Sequence, residues 1–341
     1  MSTDGCPVLI VTTTDDAHAD IMIEELQRRD VPVIRFHPED FPVRSSITLF
    51  GTDSGRDWNG VITTQGREVR LSEIRSAWYR RPRDPAIAES IPAGLTDFAL
   101  VNARDVLNAA YALIEDRWLA SPHRLRWAEL KPVQLMAAAR AGLPTPLTIF
   151  SNDPGEVERF HSRLTEQRDR CAVKSLRTTH AVTYDQKIWL PYTAVWPDDL
   201  PPTQAGDIAL TPAIYQRYLP KHREVRAVMI GAEVFAASVD PAVDPDCEVD
   251  MRKGELTKDW ASFTLPEDIA AALVTMTRGL GLHCCSADFI VTPDGNLIFI
   301  ELNPNGQWLW LDLYAGLPLV QKFADHLCAG IGQRGGERSR A

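Results

Sequence analysis

The chain has 341 residues, 45% of them hydrophobic and 24% charged, with a formal net charge of -10 at neutral pH. That length can bury a sizeable core and divide into two or three domains. The excess of acid argues against a general nucleic-acid binder, whose phosphate contacts need a basic face, but it leaves room for a local basic pocket. No apolar run approaches the roughly 18 residues that a membrane-spanning helix needs. The opening Met1-Ser-Thr-Asp-Gly5 lacks the basic and apolar regions of a secretion signal, and the six cysteines show no CxxC spacing. A cytoplasmic globular protein with reduced thiols is expected.

In chain order, Val8-Leu-Ile-Val11 reads as a buried strand running into the polar turn Thr12-Thr-Thr-Asp-Asp16. Ile21, Ile23 and Leu26 among charges suit an amphipathic helix ending near Asp30, and Val31-Pro-Val-Ile-Arg-Phe36 suits a second strand. This β-α-β opening favours a parallel sheet. No glycine-rich loop joins the first strand to its helix, which argues against a dinucleotide site there. Short strands are expected at 46–50 and 60–64, and Ala77-Trp-Tyr79 is expected to run into the basic cluster Arg80-Arg-Pro-Arg83. A long helix follows over 96–117, then a linker over 119–129 with Ser121-Pro122 as its breaker.

A second α/β region begins with a helix over 129–141, stopped by Gly142 and followed by the rigid exit Pro144-Thr-Pro146. Strands at 147–150 and 171–174 flank a helix over 153–166. Residues 185–212 are proline-rich and unpatterned, as in a loop or flap. Strands are expected at 213–219, 223–230 and 234–238, and helices at 266–279 and 318–329. The polar, glycine-rich tail over 331–341 is expected to be disordered.

The most informative stretch lies between those last two helices. Phe289-Ile-Val291 and Ile298-Phe-Ile300 read as strands joined by the turn Thr292-Pro-Asp-Gly295. Side chains alternate along a strand, so Glu301 and Asn303 face the same way, and Asp288 on the neighbouring strand can join them. Two acids and an amide in so apolar a setting are costly unless paired or coordinated. Three hard oxygen ligands suit magnesium, which leaves its other positions to phosphate and water. The plain alternative is that the acids cap strands and Pro304-Asn-Gly306 is a turn.

Upstream stand Lys131 in Glu129-Leu-Lys-Pro-Val-Gln134 and Lys174 at the end of Cys171-Ala-Val-Lys174. Ile214-Tyr-Gln-Arg-Tyr-Leu219 and Glu224-Val-Arg226 follow. This order of lysine, lysine, hinge, acid and D…E-x-N resembles the ATP-grasp carboxylate–amine/thiol ligases over about residues 120–330. Val8-Leu-Ile-Val-Thr-Thr-Thr14, His37-Pro-Glu-Asp-Phe-Pro42, Trp78-Tyr-Arg-Arg-Pro82, Glu129-Leu-Lys-Pro132 and Glu301-Leu-Asn-Pro-Asn-Gly-Gln-Trp308 resemble the ATP-grasp maturases of ribosomal peptides, which make microviridins and other graspetides.

The resemblance implies an α/β ATP-grasp fold with an N-terminal pre-ATP-grasp domain (1–120), a central subdomain (121–212) and a C-terminal lobe with adenine hinge and metal site (213–330). It implies a peptide macrocyclase that phosphorylates precursor Asp or Glu side chains with ATP. Ser or Thr hydroxyls or Lys amines then displace the phosphate, closing ω-ester or ω-amide rings. Lys131 and Lys174 would meet the ATP phosphates, Gln216 and Leu219 the adenine, and Glu224 the ribose. Asp288, Glu301 and Asn303 would hold Mg²⁺, with Arg226 and Arg252 at the reacting carboxylate or its acyl phosphate.

Three positions depart from the family pattern. Asp250-Met-Arg252 stands where Asp-Trp-Arg is common, Ser286 where related ligases carry an arginine, and Gln216 where the hinge usually opens with an acid. Without the resemblance, Lys131, Lys174 and Glu224 read as solvated side chains and His180, His222 and His283 as non-ligands. Arg80, Arg81 and Arg83 read as a solvated basic edge; the alternative is contact with an acidic precursor, where Arg80 and Arg81 would be carboxylate forks, or an ion pair across the lobes. An ATP-grasp ligase that adds an amino acid or amine to a small-molecule or protein carboxylate is the alternative function, and a non-catalytic nucleotide-binding scaffold a third. The expected partner is a ribosomal precursor peptide, with neither nucleic acid nor membrane. Self-association, precursor identity, leader site, bond type and ring connectivity are not legible in the sequence.

Overall fold

Val8, Leu9, Ile10 and Val11 are all fully buried, as in a strand covered on both faces. In the computed structural model, which describes residues 5–331 except 52, 54, 56, 178–181, 185–186, 190–191, 197–204 and 255–258, they belong to β1 (Val8–Thr12). There follow α1 (Ala17–Arg28), β2 (Val33–Phe36), β3 (Ser46–Gly51), β4 (Trp58–Thr64), β5 (Arg67–Arg70), β6 (Ser76–Arg80) and α2 (Thr96–Ala112). β1 lies parallel between β2 and β6, and β3, β4 and β5 form a separate antiparallel sheet. The Asp16 carboxylate caps α1 by accepting from the backbone N–H of His18 and Ala19. β5 was not expected, and α2 stops at Ala112 with a 3₁₀ turn at Glu115–Arg117, short of one continuous helix.

The expected linker over 119–129 is instead largely a helix, α3 (Pro122–Ala128). Pro122 starts it, because the first helical turn needs no proline N–H. Next come α4 (Lys131–Arg140), β7 (Thr148–Ser151), α5 (Pro154–Glu166), β8 (Cys171–Lys174), β9 (Val182–Tyr184), β10 (Lys187–Trp189), β11 (Ala194–Trp196), α6 (Ala205–Leu210) and β12 (Ala213–Arg217). Gly142 takes a φ of +85° just beyond α4, which suits its reading as the helix stop. The expected flap over 185–212 therefore contains β10, β11 and α6, and its other parts lie partly outside the described residues. The sheet β11-β8-β12-β7 has a small core of its own, built on Val157, Phe160, Leu164, Cys171, Ile208 and Tyr215.

The last region holds β13 (Arg223–Ile230), β14 (Glu233–Val239), β15 (Ala261–Phe263), α7 (Glu267–Gly279), β16 (Cys284–Val291), β17 (Leu297–Asn303), α8 (Leu309–Ala315) and α9 (Leu319–Ala329). Its antiparallel sheet runs β15-β14-β13-β16-β17. One face packs on α3, α4 and α7 through Val225, Ala227, Met229, Ala287, Phe289, Phe299 and Leu302. At one end of the opposite face, Val228, Ile230 and Cys284 join a core with Met22, Leu26 and Trp78 of the N-terminal domain and with Trp308 and Phe323. Where that cover ends, the same face carries Glu224, Arg226, Asp288 and Glu301. The tail over 332–341 lies outside the described residues.

Trp308 and Phe323 stack with ring centroids 4.5 Å apart at the centre of this shared core. Phe323→Ala is expected to lower stability by about 3–5 kcal/mol, the usual result of emptying an aromatic core position. Urea unfolding followed by far-ultraviolet circular dichroism would measure it, and an unchanged midpoint would count against a core shared between the domains.

Candidate active site

The antiparallel register sets Asp288 opposite Glu301 and Ser286 opposite Asn303, and on the other side it sets Arg226 opposite Asp288. The register then shifts between Asp288 and Phe289, so that Phe289 pairs with Phe299 and Ile300 is an extra residue. Such a bulge turns two consecutive residues toward one side. Ile300 and Glu301 consequently both line the cleft, while Phe299 stays in the core. Asn303 Nδ2 donates to Asp288 Oδ2 at 2.7 Å and to Glu301 Oε1 at 3.1 Å. Lys131 Nζ donates to Glu301 Oε2 at 2.6 Å, and Arg226 Nη1 lies 3.1 Å from Asp288 Oδ1.

Burial raises the pKa of Asp288, and the Glu301 charge adds to that against the pull of Arg226. Burial would raise Glu301 too, but the Lys131 ion pair outweighs it and holds that carboxyl below its ordinary value. Two facing carboxylates offer hard oxygen ligands to a cation. Among the described residues no three His, Cys, Asp or Glu side chains converge as a metal cage. Two carboxylates and an amide instead fit magnesium, which keeps waters and takes substrate phosphates as its remaining ligands. The Asn303 amide would present Oδ1 to such an ion after a flip about its last torsion.

The cleft over these residues has a volume of about 540 Å³, and Lys174, Glu224, Arg226, Arg252, Asp288, Glu301 and Asn303 all line it. Lys131 reaches Glu301 from an adjoining cavity. Gln216 and Leu219 are not part of the lining; both are buried. Gln216 Oε1 accepts from Lys174 Nζ at 2.9 Å while its Nε2 donates to Thr148 Oγ1 at 2.9 Å, so the amide orients the lysine. Burial lowers the Lys174 pKa.

Glu224 accepts from Lys221 Nζ at 2.5 Å, and Lys221 also donates to Val249 O at 2.9 Å. Asp250 accepts from Arg252 Nε at 2.8 Å and from the Thr193 N–H at 2.8 Å. Burial opposes its ionisation, but these donors hold it well below the usual carboxylate range. Asp250 thus occupies one edge of the Arg252 guanidinium. Lys221, Trp260 and Trp310 also line the cleft and were not singled out from the sequence. Nothing in their local sequence marks them as cleft residues, and the two tryptophans meet edge to face at 4.9 Å.

The basic cluster is not a uniformly solvated edge. Arg80 is 2% exposed, donates from Nη1 to Asn305 O at 3.0 Å and lies 3.7 Å from Asp16. Burial pushes its pKa down to about 10, where it is still charged at neutral pH. Arg83 does lie at the surface, 3.0 Å from Asp15. His18, overlooked in the sequence, accepts at Nε2 from the N–H groups of Trp308 and Leu309, each at 3.2 Å. Burial, reinforced by Arg80, pulls its pKa down to about 4 and keeps it neutral. The N-terminal domain therefore grips the loop that leaves Asn303. His180 lies outside the described residues.

Residues 7–126 match the family described as the MvdD pre-ATP grasp domain. Over 95% of this chain and 96% of the other, the structure is similar to the Chryseobacterium gregarium RiPP-associated ATP-grasp ligase in complex with ADP and a leader and core peptide, with a TM-score of 0.83 and 26% identity. The macrocyclase MdnC of Microcystis aeruginosa MRC, bound with its precursor peptide MdnA, gives 0.78 and 24% over 95% and 99%. The D-cycloserine synthetase DcsG shares the fold at 0.58 and 16% over 95% and 99%. No curated protein matches the chain.

Fold and cleft together define an ATP-grasp ligase. Within that class residues 7–126 match an MvdD-type pre-ATP-grasp domain, and the whole chain is similar in structure to a ligase and a macrocyclase of ribosomally synthesised peptides. Among the described residues no helix is long and apolar enough to cross a membrane.

Gly306 lies against β16 and β17, where an added Cβ would sit 2.7 Å from Ser286 Oγ and 3.1 Å from Asn303 O. Gly306→Ala is expected to shift Asn303 and to lower stability by about 1–3 kcal/mol through overpacking. A thermal unfolding midpoint equal to that of the wild type would show that the loop yields freely.

Proposed function

We propose that this protein is an ADP-forming peptide macrocyclase. It would activate Asp or Glu side chains of a ribosomal precursor peptide with ATP and join them to Ser or Thr hydroxyls or Lys amines, as ω-esters or ω-amides. The carrying observation is one cleft in which Asp288, Glu301 and Asn303 converge beside the cations Lys174, Arg226 and Arg252, with Lys131 joining Glu301 from the adjoining cavity. The likeness to a ligase bound to ADP, leader and core peptide supports the reading. The domain division near residues 120 and 212 belongs to the same proposal, and the separate small core of the β11-β8-β12-β7 sheet supports it.

Lys131 and Lys174 offset phosphate charge as compact ammonium groups. In place of the expected adenine contact, Gln216 acts indirectly, its Oε1 orienting Lys174, while Leu219 would offer its backbone to the adenine and Glu224 would accept from the ribose hydroxyls. Asp288, Glu301 and Asn303 hold the magnesium site. Magnesium bound there supplies Lewis-acid charge withdrawal at the transferring phosphoryl group. Lys131 and Arg226 offset the two carboxylates within the protein and so keep the pair ordered.

The peptide carboxylate oxygen attacks the γ-phosphorus and ADP leaves. A hydroxyl or amine then attacks the acyl carbon, the acyl C–O bond to the phosphate breaks, inorganic phosphate leaves with that bond's electron pair, and the nucleophile's proton passes to solvent. Arg226 and Arg252 stabilise the carboxylate and the acyl phosphate, and Asp250 holds the plane of Arg252. No protein nucleophile is needed.

Glu301→Ala and Asn303→Ala are each expected to abolish cyclisation while the circular dichroism spectrum is retained. Wild-type rates in magnesium from either variant would remove the metal assignment. Each ring should consume one ATP, release ADP and lower peptide mass by one water, about 18 Da from the phosphoryl-transfer scheme. Mass spectrometry of a reaction with the precursor encoded beside the gene reads this directly; a gain equal to an added amino acid would favour the amine-ligase alternative, and AMP would exclude the acyl-phosphate route. Arg252→Lys should slow cyclisation by roughly 10- to 100-fold, since an ammonium cannot reproduce a guanidinium hydrogen-bonded to charged groups. ATP affinity should change little, and parallel losses of both would move Arg252 to the nucleotide.

A further inference from the structure

Arg81 leaves β6 with a φ of +44°, in the left-handed region that a non-glycine residue occupies at a cost. Strain of this kind persists where the surroundings enforce it, and it collects at binding sites. Here Arg80 and Arg81 both donate to the backbone carbonyl of Asn305, at 3.0 Å and 3.2 Å. The turn sets Arg81 in the wall of a second cavity, of about 490 Å³, shared with Glu129, Lys131, Arg177 and Asn303. Asn303 lines both cavities, so an occupant of the second would lie beside the magnesium residues on the side of the N-terminal domain.

The cations of this cavity differ in one respect. Lys131 is paired with Glu301 at 2.6 Å and Arg177 with Glu129 at 2.8 Å. Arg81 makes no ion pair among the described residues, and its hydrogen bond from Nε to Asn305 leaves both terminal nitrogens of the guanidinium for a ligand. A chain of net charge -10 cannot draw in an anionic peptide at long range, so capture must rest on a local group such as this one.

We propose that the second cavity receives an acidic side chain of the peptide substrate, with Arg81 as its carboxylate fork. Arg81 is then a specificity-determining residue that selects carboxylate over amide. The proposal rests on the macrocyclase reading, and it adds a second substrate-binding element contributed by the N-terminal domain.

Isothermal titration of the full-length protein tests it. Mg·ADP is titrated first. Acetyl-Thr-Glu-Glu-Thr-amide and its Gln-Gln counterpart are then titrated into protein saturated with Mg·ADP. The wild type should bind the Glu peptide and not the Gln peptide. Arg81→Gln and Arg81→Gly should weaken Glu-peptide binding by about tenfold or more, as expected for the loss of a charge-assisted pair, and Arg81→Lys should fall between. Glycine adopts the positive φ without cost, so weak binding by Arg81→Gly cannot be ascribed to a misfolded turn. Mg·ADP affinity should be the same in all four proteins. Equal Glu-peptide affinity in wild type and Arg81→Gln, binding of both peptides alike, or binding of neither by a wild type that takes Mg·ADP would overturn the proposal. A drop in Mg·ADP affinity in the variants would also overturn it, by making Arg81 a phosphate ligand. Failure of the wild type to bind Mg·ADP would count against the macrocyclase reading itself.

Discussion

Asp288 and Glu301 face each other across two neighbouring strands, on the wall of a cleft that leaves each only partly exposed. Two like charges so placed repel and are poorly solvated, and no packing of apolar neighbours can relieve them. Only cations and hydrogen-bond donors can, and they come from separate parts of the chain. Lys131 arrives at the first turn of α4, Arg226 from β13, Asn303 from β17 itself, and Lys174 adds its charge from β8 in another sheet. The site is therefore the point at which these elements must agree in position. A divalent ion and a polyphosphate are complementary to that arrangement, since one satisfies the acids and the other the lysines.

The N-terminal domain is tied to this arrangement without supplying any of the facing acids or the amide between them. Arg80 is buried with its guanidinium on the Asn305 carbonyl, and neutral His18 receives two backbone N–H groups just downstream. A buried guanidinium and a buried imidazole are costly unless their partners are fixed, so both hold the loop from Pro304 to Leu309 in one conformation. Trp308 completes the grip by stacking on Phe323 in the core that the domains share. The strands carrying Glu301 and Asn303 are thus braced at their exit, and Arg81 is presented beside them by the same turn.

Local patterning made much of the fold readable. Val8–Val11 is apolar throughout and buried throughout, and the hairpin around Gly295 follows from its turn residues, with Gly295 at a φ of +86°. Reading failed where one residue had two structural meanings. Pro122 looked like a breaker, but at the first helical position a proline starts a helix as readily as it ends one. β5 is only four residues long and mostly exposed, so it carried no hydrophobic alternation to detect.

For the site, the sequence by itself determined which residue types were available and in what order: two lysines, the hinge segment, Glu224 and Arg226, then Asp288, Glu301 and Asn303. It also determined that acids stood in apolar strands, which is unfavourable enough to demand an explanation. The tertiary structure decided what each of them meets. It brought Lys131 to Glu301 across 170 positions, turned Gln216 toward Lys174, closed Asp250 onto Arg252, and separated the adjacent Arg80 and Arg81 into a buried brace and a cavity-facing fork. It introduced the bulge at Ile300 that lets Glu301 face the cleft while Phe299 remains in the core. The reason is range: side-chain periodicity and turn chemistry act over a few residues, whereas the partners of a buried charge are chosen by strand register and domain packing, which no local stretch of sequence encodes.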